Sequence, residues 1–148
     1  MGHLTQLGRR FFALERGDRG LVLEAILLIG LVQAGLRMLS FATLIRLLAA
    51  AKQFRRRSRP RPCRITWAVN AAARLLPART CLTDALAADV MLCRCGYQSL
   101  LRIGVKKRIG GAGRLEAHAW VESDGSIVAG QLETLDEYWR LPNRAGTA

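Results

Sequence analysis

The 148-residue sequence predicts an α+β domain in which helices come first and a small antiparallel sheet follows. Two observations carry that prediction. Up to Gly96 the apolar residues recur at helical spacing, and beyond it they alternate as in strands. Asp124-Gly125, set between two alternating segments, is a strong two-residue hairpin signal. Hydrophobic residues make up 51% of the chain, enough for one domain with a real core and one appendage.

From Leu21 to Leu36 the chain is apolar except for Glu24, Gln33 and two glycines, and from Phe41 to Ala51 except for Thr43 and Arg46. Both stretches predict helices, with the break near Leu39-Ser40 and Ser40 as N-cap of the second. The first falls short of 18 uninterrupted apolar residues, so packing against the core or a partner is expected, with a membrane surface as the alternative. Residues 53–62, QFRRRSRPRP, combine like charges with two prolines and predict a basic linker. Helical spacing returns over Ile65–Leu76 and stops at Pro77. A further helix runs from Thr80-Cys81 to about Cys95, with Gly96 just past its last turn.

Leu101, Ile103 and Val105 alternate with Arg102 and Gly104, which predicts a strand. Lys106–Arg114 is basic and glycine-rich, suited to a loop. A second strand, Leu115–Ser123, puts Leu115, Ala117, Ala119 and Val121 on one face and Glu116, His118, Trp120 and Glu122 on the other. Ile127-Val128 starts the return strand. The chain thus divides into an apolar helical region, 1–52, the linker, 53–62, and a helix-plus-sheet domain, 63–148.

Net charge is +12, and six arginines fall between Arg55 and Arg64. Such an excess favours an anionic partner, or else marks a solvated linker. Nucleic acid is not expected, because FRRRSRPRP offers only Phe54 as a stacking platform. The cysteines are Cys63, Cys81, Cys93 and Cys95. Cys93-Arg-Cys95 has the wrong spacing for a zinc or redox motif, and the two histidines include the terminal His3, so no metal and no cofactor are expected. The first twelve residues do not resemble a signal peptide, which predicts reduced thiols in the cytoplasm.

One constellation carries chemistry. Cys81 falls in the first turn of its helix behind Thr80, where free amides and the helix dipole stabilise a thiolate and supply oxyanion donors. A nucleophilic cysteine needs a base, and His118 is the candidate in the body of the chain. Taken by spacing alone, the pair fits a core thiol and a hydrogen-bonded strand histidine better than it fits catalysis.

The local contexts say more. RTCLTDALAADVMLCRCGY, then SLLRIGVKK, then EAHAWVESDG resembles the transglutaminase-like cysteine peptidases. Within them it is similar to the split-type B maturation proteases of lasso-peptide biosynthesis, which lack a built-in leader-binding domain. The residues concerned are Cys81-Leu82, Arg94 to Gly96, Gly104-Val105 and Ala117 to Glu122, and the similarity spans roughly residues 63–140. It implies a transglutaminase/papain-like core and a cysteine endopeptidase that removes the leader from a ribosomally made precursor (RiPP maturation). It also implies a separate leader-binding (RiPP recognition) protein and a lasso cyclase as partners. The alternatives are a transglutaminase-like acyltransferase with the same pair, and a non-catalytic membrane or adaptor module built on the apolar helices.

One departure stands out. Family members often carry an aspartate about twelve residues after the histidine, and this chain has Gly130 there. Counting out from the Asp124-Gly125 turn pairs His118 with Gln131, whose amide would orient the imidazole. Glu133 and Asp136 are the next candidates, and a bulge would shift the register by one.

Overall fold

The structure, a computed structural model, describes residues 14–77, 79–107 and 115–142. Helix α1 (Arg16–Met38) ends at Leu39 in extended backbone, and α2 (Phe41–Lys52) starts at once because the Ser40 hydroxyl accepts from the Thr43 amide at 3.2 Å. Helix α3 (Pro62–Ala73) begins three residues earlier than its apolar spacing predicts. Pro62 sits in the first turn, where the amide it lacks would have had no helical partner. Helix α4 (Cys81–Arg94) ends in a paired closure: Gly96, at φ 83°, donates to the Cys93 carbonyl at 2.9 Å and Tyr97 to that of Leu92 at 3.0 Å.

Eight consecutive residues of α4, Ala85 to Leu92, are buried, so this helix is enclosed on every side. A single hydrophobic cluster joins it to Leu21, Val22, Ala25, Leu28, Ile29 and Val32 of α1, Leu44 and Leu48 of α2, Ile65 and Val69 of α3, and Ala119 and Val121 of the sheet. The N-terminal helices therefore share the core of the residues that follow. The segment predicted as a linker is strapped down against them. The Arg56 amide donates to the Arg94 carbonyl at 2.8 Å, Arg94 Nε to the Phe54 carbonyl at 3.0 Å, and Tyr97 to the Pro60 carbonyl at 3.1 Å. Glu24 of α1 takes ion pairs from both Arg56 and Arg94.

Helix α1 has the length and hydropathy to cross a membrane, its best 18-residue window averaging 1.9, which a strict count of uninterrupted apolar residues misses. Yet 39% of that window is buried against its neighbours. It is a core helix on one face and an exposed apolar helix on the other.

Strands β1 (Leu100–Lys107), β2 (Leu115–Ser123), β3 (Ser126–Ala129) and β4 (Trp139–Arg140) form one sheet in the order β3-β2-β1-β4, antiparallel throughout. Asp124 and Gly125 close the β2–β3 hairpin with φ of 49° and 76°, the two left-handed residues of a type I′ turn. The expected loop at Lys106–Arg114 lies mostly outside the described residues, with Lys106 and Lys107 completing β1. Leu101, Ile103, Ala119 and Val121 meet the helices. The opposite face, expected to be polar, is covered: Trp120 is 1% exposed, and Tyr138, which follows a 3-10 turn (Leu135–Glu137), is also buried. Gly104 makes room for both, since a Cβ there would meet the Trp120 ring and the Tyr138 Cβ at 2.9 Å.

Glu122 anchors this outer layer. It accepts from the Trp120 indole at 3.0 Å and from Arg102 at 3.2 Å, and it pairs with Arg140 at 3.4 Å. Burial alone would raise its carboxyl, but these donors outweigh burial and hold it below the usual value. A depressed carboxyl contributes stability above its unfolded value and loses it on acidification. Glu122→Gln should cost about 1–2 kcal/mol at pH 7 in chemical denaturation. Its difference from wild type should shrink below about pH 4.

Candidate active site

Cys81 is the first residue of α4, and a reciprocal cap holds that end in place. Thr80 Oγ1 accepts from the Thr83 amide at 3.2 Å while the Thr80 amide donates to Thr83 Oγ1 at 3.0 Å. The cap uses the Thr83 amide and leaves those of Cys81 and Leu82 outside the helix ladder, the arrangement that stabilises negative charge at this position.

The Cys81 end of α4 opens into a cleft of about 300 Å³. Val69 and Asn70 of α3, Arg79, Thr80, Asp84 and Ala85 line it from the helical side, and His118, Ala129 and Gly130 from the sheet. The structure thus brings Cys81 and His118 to one cavity. His118 leaves β2 on the covered face, its ring stacked at 6.3 Å with Trp120 and tilted at 5.7 Å against Tyr138. It lines the cleft beyond the last residue of β3, where the edge of β2 has no ladder partner.

His118 Nε2 lies 2.7 Å from the Gly130 carbonyl oxygen. A carbonyl can only accept, so this contact puts the proton on Nε2 and leaves the Nδ1 lone pair free. The orienting group is therefore backbone, and Gln131 does not occupy that place. The reason is a bulge. Simple counting pairs Val121 with Val128, but the ladder pairs Glu122 with Ile127 and Val121 with Ala129, and β3 ends there. Gln131 and Glu133 fall past the strand and are exposed, and Asp136 is in the exposed 3-10 turn. Among the described residues no side-chain hydrogen bond joins any of the three to His118.

Gly130 is required on two counts. Its φ is 77°, and a Cβ there would lie 2.7 Å from the Ala119 carbonyl oxygen and 3.0 Å from the Trp120 Cα. A side chain at this position would displace the carbonyl that holds His118.

Asn70, Arg79 and Asp84 line the cleft although the sequence reasoning passed over them. Asp84 carried a legible signal, since three residues after Cys81 it shares a helix face with it. Asn70, exposed on α3, carries the one side-chain amide of that helix. Burial raises the Asp84 carboxyl, with Arg79 at 3.9 Å and the Thr83 hydroxyl pulling the other way. The remaining thiols are placed differently: Cys63 is exposed, Cys93 contacts the Ser99 hydroxyl at 3.2 Å, and burial pushes the Cys95 thiol up.

A capped helix bearing a cysteine at its first position, packed on an antiparallel sheet that brings a histidine to the same cleft, defines a cysteine–histidine acyl-transfer scaffold. The model of the transglutaminase-like superfamily matches residues 26–142, and the chain belongs to that superfamily. Its members are generally catalytic, with cysteine protease or transferase chemistry. The match begins inside α1, in keeping with the shared core. No curated protein and no solved structure gives a significant match.

Gly130→Ala should lower turnover at Cys81 about tenfold or more by moving the carbonyl that fixes the imidazole. Gln131→Ala should leave turnover within about twofold, since an exposed residue past the strand is of little consequence to the ring. Steady-state rates of both variants, read beside their melting temperatures, check this.

Proposed function

We propose that this protein is a cysteine endopeptidase that removes the leader from a lasso-type precursor peptide. The observation that supports it most is that His118, held through Nε2 on the Gly130 carbonyl, lines the same cleft as Cys81. In that reading the Cys81 sulfur attacks the scissile carbonyl, and His118 takes up the thiol proton and returns it to the leaving amine. The Cys81 amide donates to the oxyanion. Water then attacks the thioester, with His118 as base, and restores the thiol.

The substrate assignment rests on the Cys81 helix context and the Ala117 to Glu122 strand motif, AHAWVE. In such a system a separate leader-binding protein supplies the grip on the leader and a lasso cyclase consumes the released core peptide. The enzyme works in the cytoplasm.

Cys81→Ala and His118→Ala should each stay folded and lose on the order of a thousandfold or more in rate, because members of such a pair fail together. Cys63→Ser should lose little. Mass spectrometry of the products separates hydrolysis from acyl transfer: a free carboxylate at the cut supports the peptidase, and an amide to an added amine supports the acyltransferase. Adding a cognate leader-binding protein should raise the rate by raising local substrate concentration. Full activity of the isolated chain at low micromolar substrate would contradict a partner in trans.

A further inference from the structure

Helix α1 is solvent-facing along one whole side. Leu23, Leu27 and Leu31 are 54%, 62% and 57% exposed and stand four residues apart, so they share a face, and Met38 at 82% continues it. From Leu23 to Met38 that stripe is roughly 22 Å long. Leu39, Phe41 and Leu47 add exposed apolar surface where α2 begins and along it. A monomer in water gains nothing from this many large apolar side chains concentrated on two helices.

Acidic residues stand only at the start of the helix, where Glu15 takes the N-cap position and Asp18 pairs with Arg64, and at Glu24. Between Glu24 and Asp84 the chain has no acidic residue, while it has eleven Lys and Arg. Glu24 itself, the one acid within the apolar stretch of α1, is turned into ion pairs with Arg56 and Arg94. Arg16 and Arg37 stand at the two ends of the helix, and Arg46 is exposed on α2. The strap of residues 53–62 runs beside the first half of α1, with Arg56 Nη2 3.6 Å from where a Gly20 Cβ would be. Arg55, Arg57, Arg59 and Arg61 of the strap are exposed, with Arg55 and Arg59 beside Gly96.

A spanning role conflicts with the packing, because Leu21, Val22, Ala25, Leu28, Ile29, Val32 and Gly35 face the protein core. What remains is an in-plane arrangement: a helix with one face committed to the protein, the other aliphatic, and arginines at its ends and flank whose stems can snorkel to headgroups. We propose that the outer face of α1 and the adjoining part of α2 dock on an anionic lipid bilayer, with the leucine stripe at the acyl boundary and the arginines on lipid phosphates. Juxtaposed basic groups add to such binding additively and are screened by salt. The surface is independent of the cleft at Cys81.

Flotation of the full chain with vesicles tests this. The protein should float with phosphatidylcholine vesicles containing one-third phosphatidylglycerol, much less with phosphatidylcholine alone, and less in high salt. Leu27→Glu combined with Leu31→Glu should weaken binding about tenfold or more. Leu23→Gln, a milder change at an equally exposed site, should weaken it severalfold and serves if the double variant does not fold. Arg55→Ala with Arg57→Ala should remove much of the preference for anionic vesicles. Cys81→Ala should float like wild type. The proposal is overturned if wild type stays unbound with anionic vesicles, or if folded stripe variants float as well as wild type. It is also overturned if sedimentation shows a dimer that the stripe variants dissociate, since the face would then be a contact between copies, or if an acidic protein partner and not the vesicles responds to them.

Discussion

The burial of the body of α4, Ala85 to Leu92, is the constraint on which the other elements depend. A helix with eight buried residues in succession needs neighbours on every side, and α1, α2, α3 and the sheet supply them. Small side chains make this possible: Ala85, Ala87 and Ala88 let neighbouring elements approach closely. The one acid in the buried run, Asp89, is met by Lys52 from α2 and by the Ser99 hydroxyl at 2.6 Å, so a group that would be costly alone has its partners. With the body of α4 enclosed, its first turn emerges at the rim, and Cys81 is presented at a cleft mouth by the same packing that stabilises the fold.

Much of this was legible in the sequence because the signals were local. Ser40, Thr80, Gly96 and Asp124-Gly125 each name a backbone conformation, and each is found at the boundary it marks. Cys81 and His118 could be chosen because a helix start and a strand face follow from short-range pattern. What stayed hidden depended on contacts between distant segments. The bulge at Val128 has no composition of its own, and it moved the register that would have placed Gln131 opposite His118. Trp120 and Tyr138, eighteen residues apart, are both buried over Gly104, which alternation within one strand cannot report. Residues 53–62 looked like a tether because their charges repel, yet Arg56 in their midst pairs with Glu24 and donates its amide to the Arg94 carbonyl.

The outer layer of the sheet has a function beyond covering apolar surface. His118 lies against Trp120 and Tyr138, and Tyr138 donates to Glu116 at 2.8 Å while Glu122 holds the Trp120 indole. The ring is thereby confined by two aromatic neighbours and one carbonyl. Lys106 lies over the Tyr138 ring at 4.7 Å and pairs with Glu137, tying the turn that carries Tyr138 back to β1. A histidine on a partly open strand edge would otherwise sample several rotamers, and each ordered rotamer has an entropic cost that these contacts offset.

A backbone carbonyl differs from a carboxylate in one respect that shapes the chemistry proposed for this cleft. Both fix the tautomer, but a carbonyl brings only a partial charge, so it adds less to the stability of an imidazolium than a carboxylate would. Where the third group is neutral, more of the work of stabilising a thiolate falls on the cysteine's own surroundings. Here these are the amides of Cys81 and Leu82 at the end of a four-turn helix whose cap is rigidly closed by Thr80 and Thr83. Asp84 in the same turn brings a carboxyl to the cleft, and Arg79 beside it offsets that charge. The division of labour follows from one residue. Gly130, lacking a side chain, lets the chain pass close enough to β2 for its carbonyl to reach the imidazole, and in doing so leaves the helix end as the principal source of electrostatic support for the nucleophile.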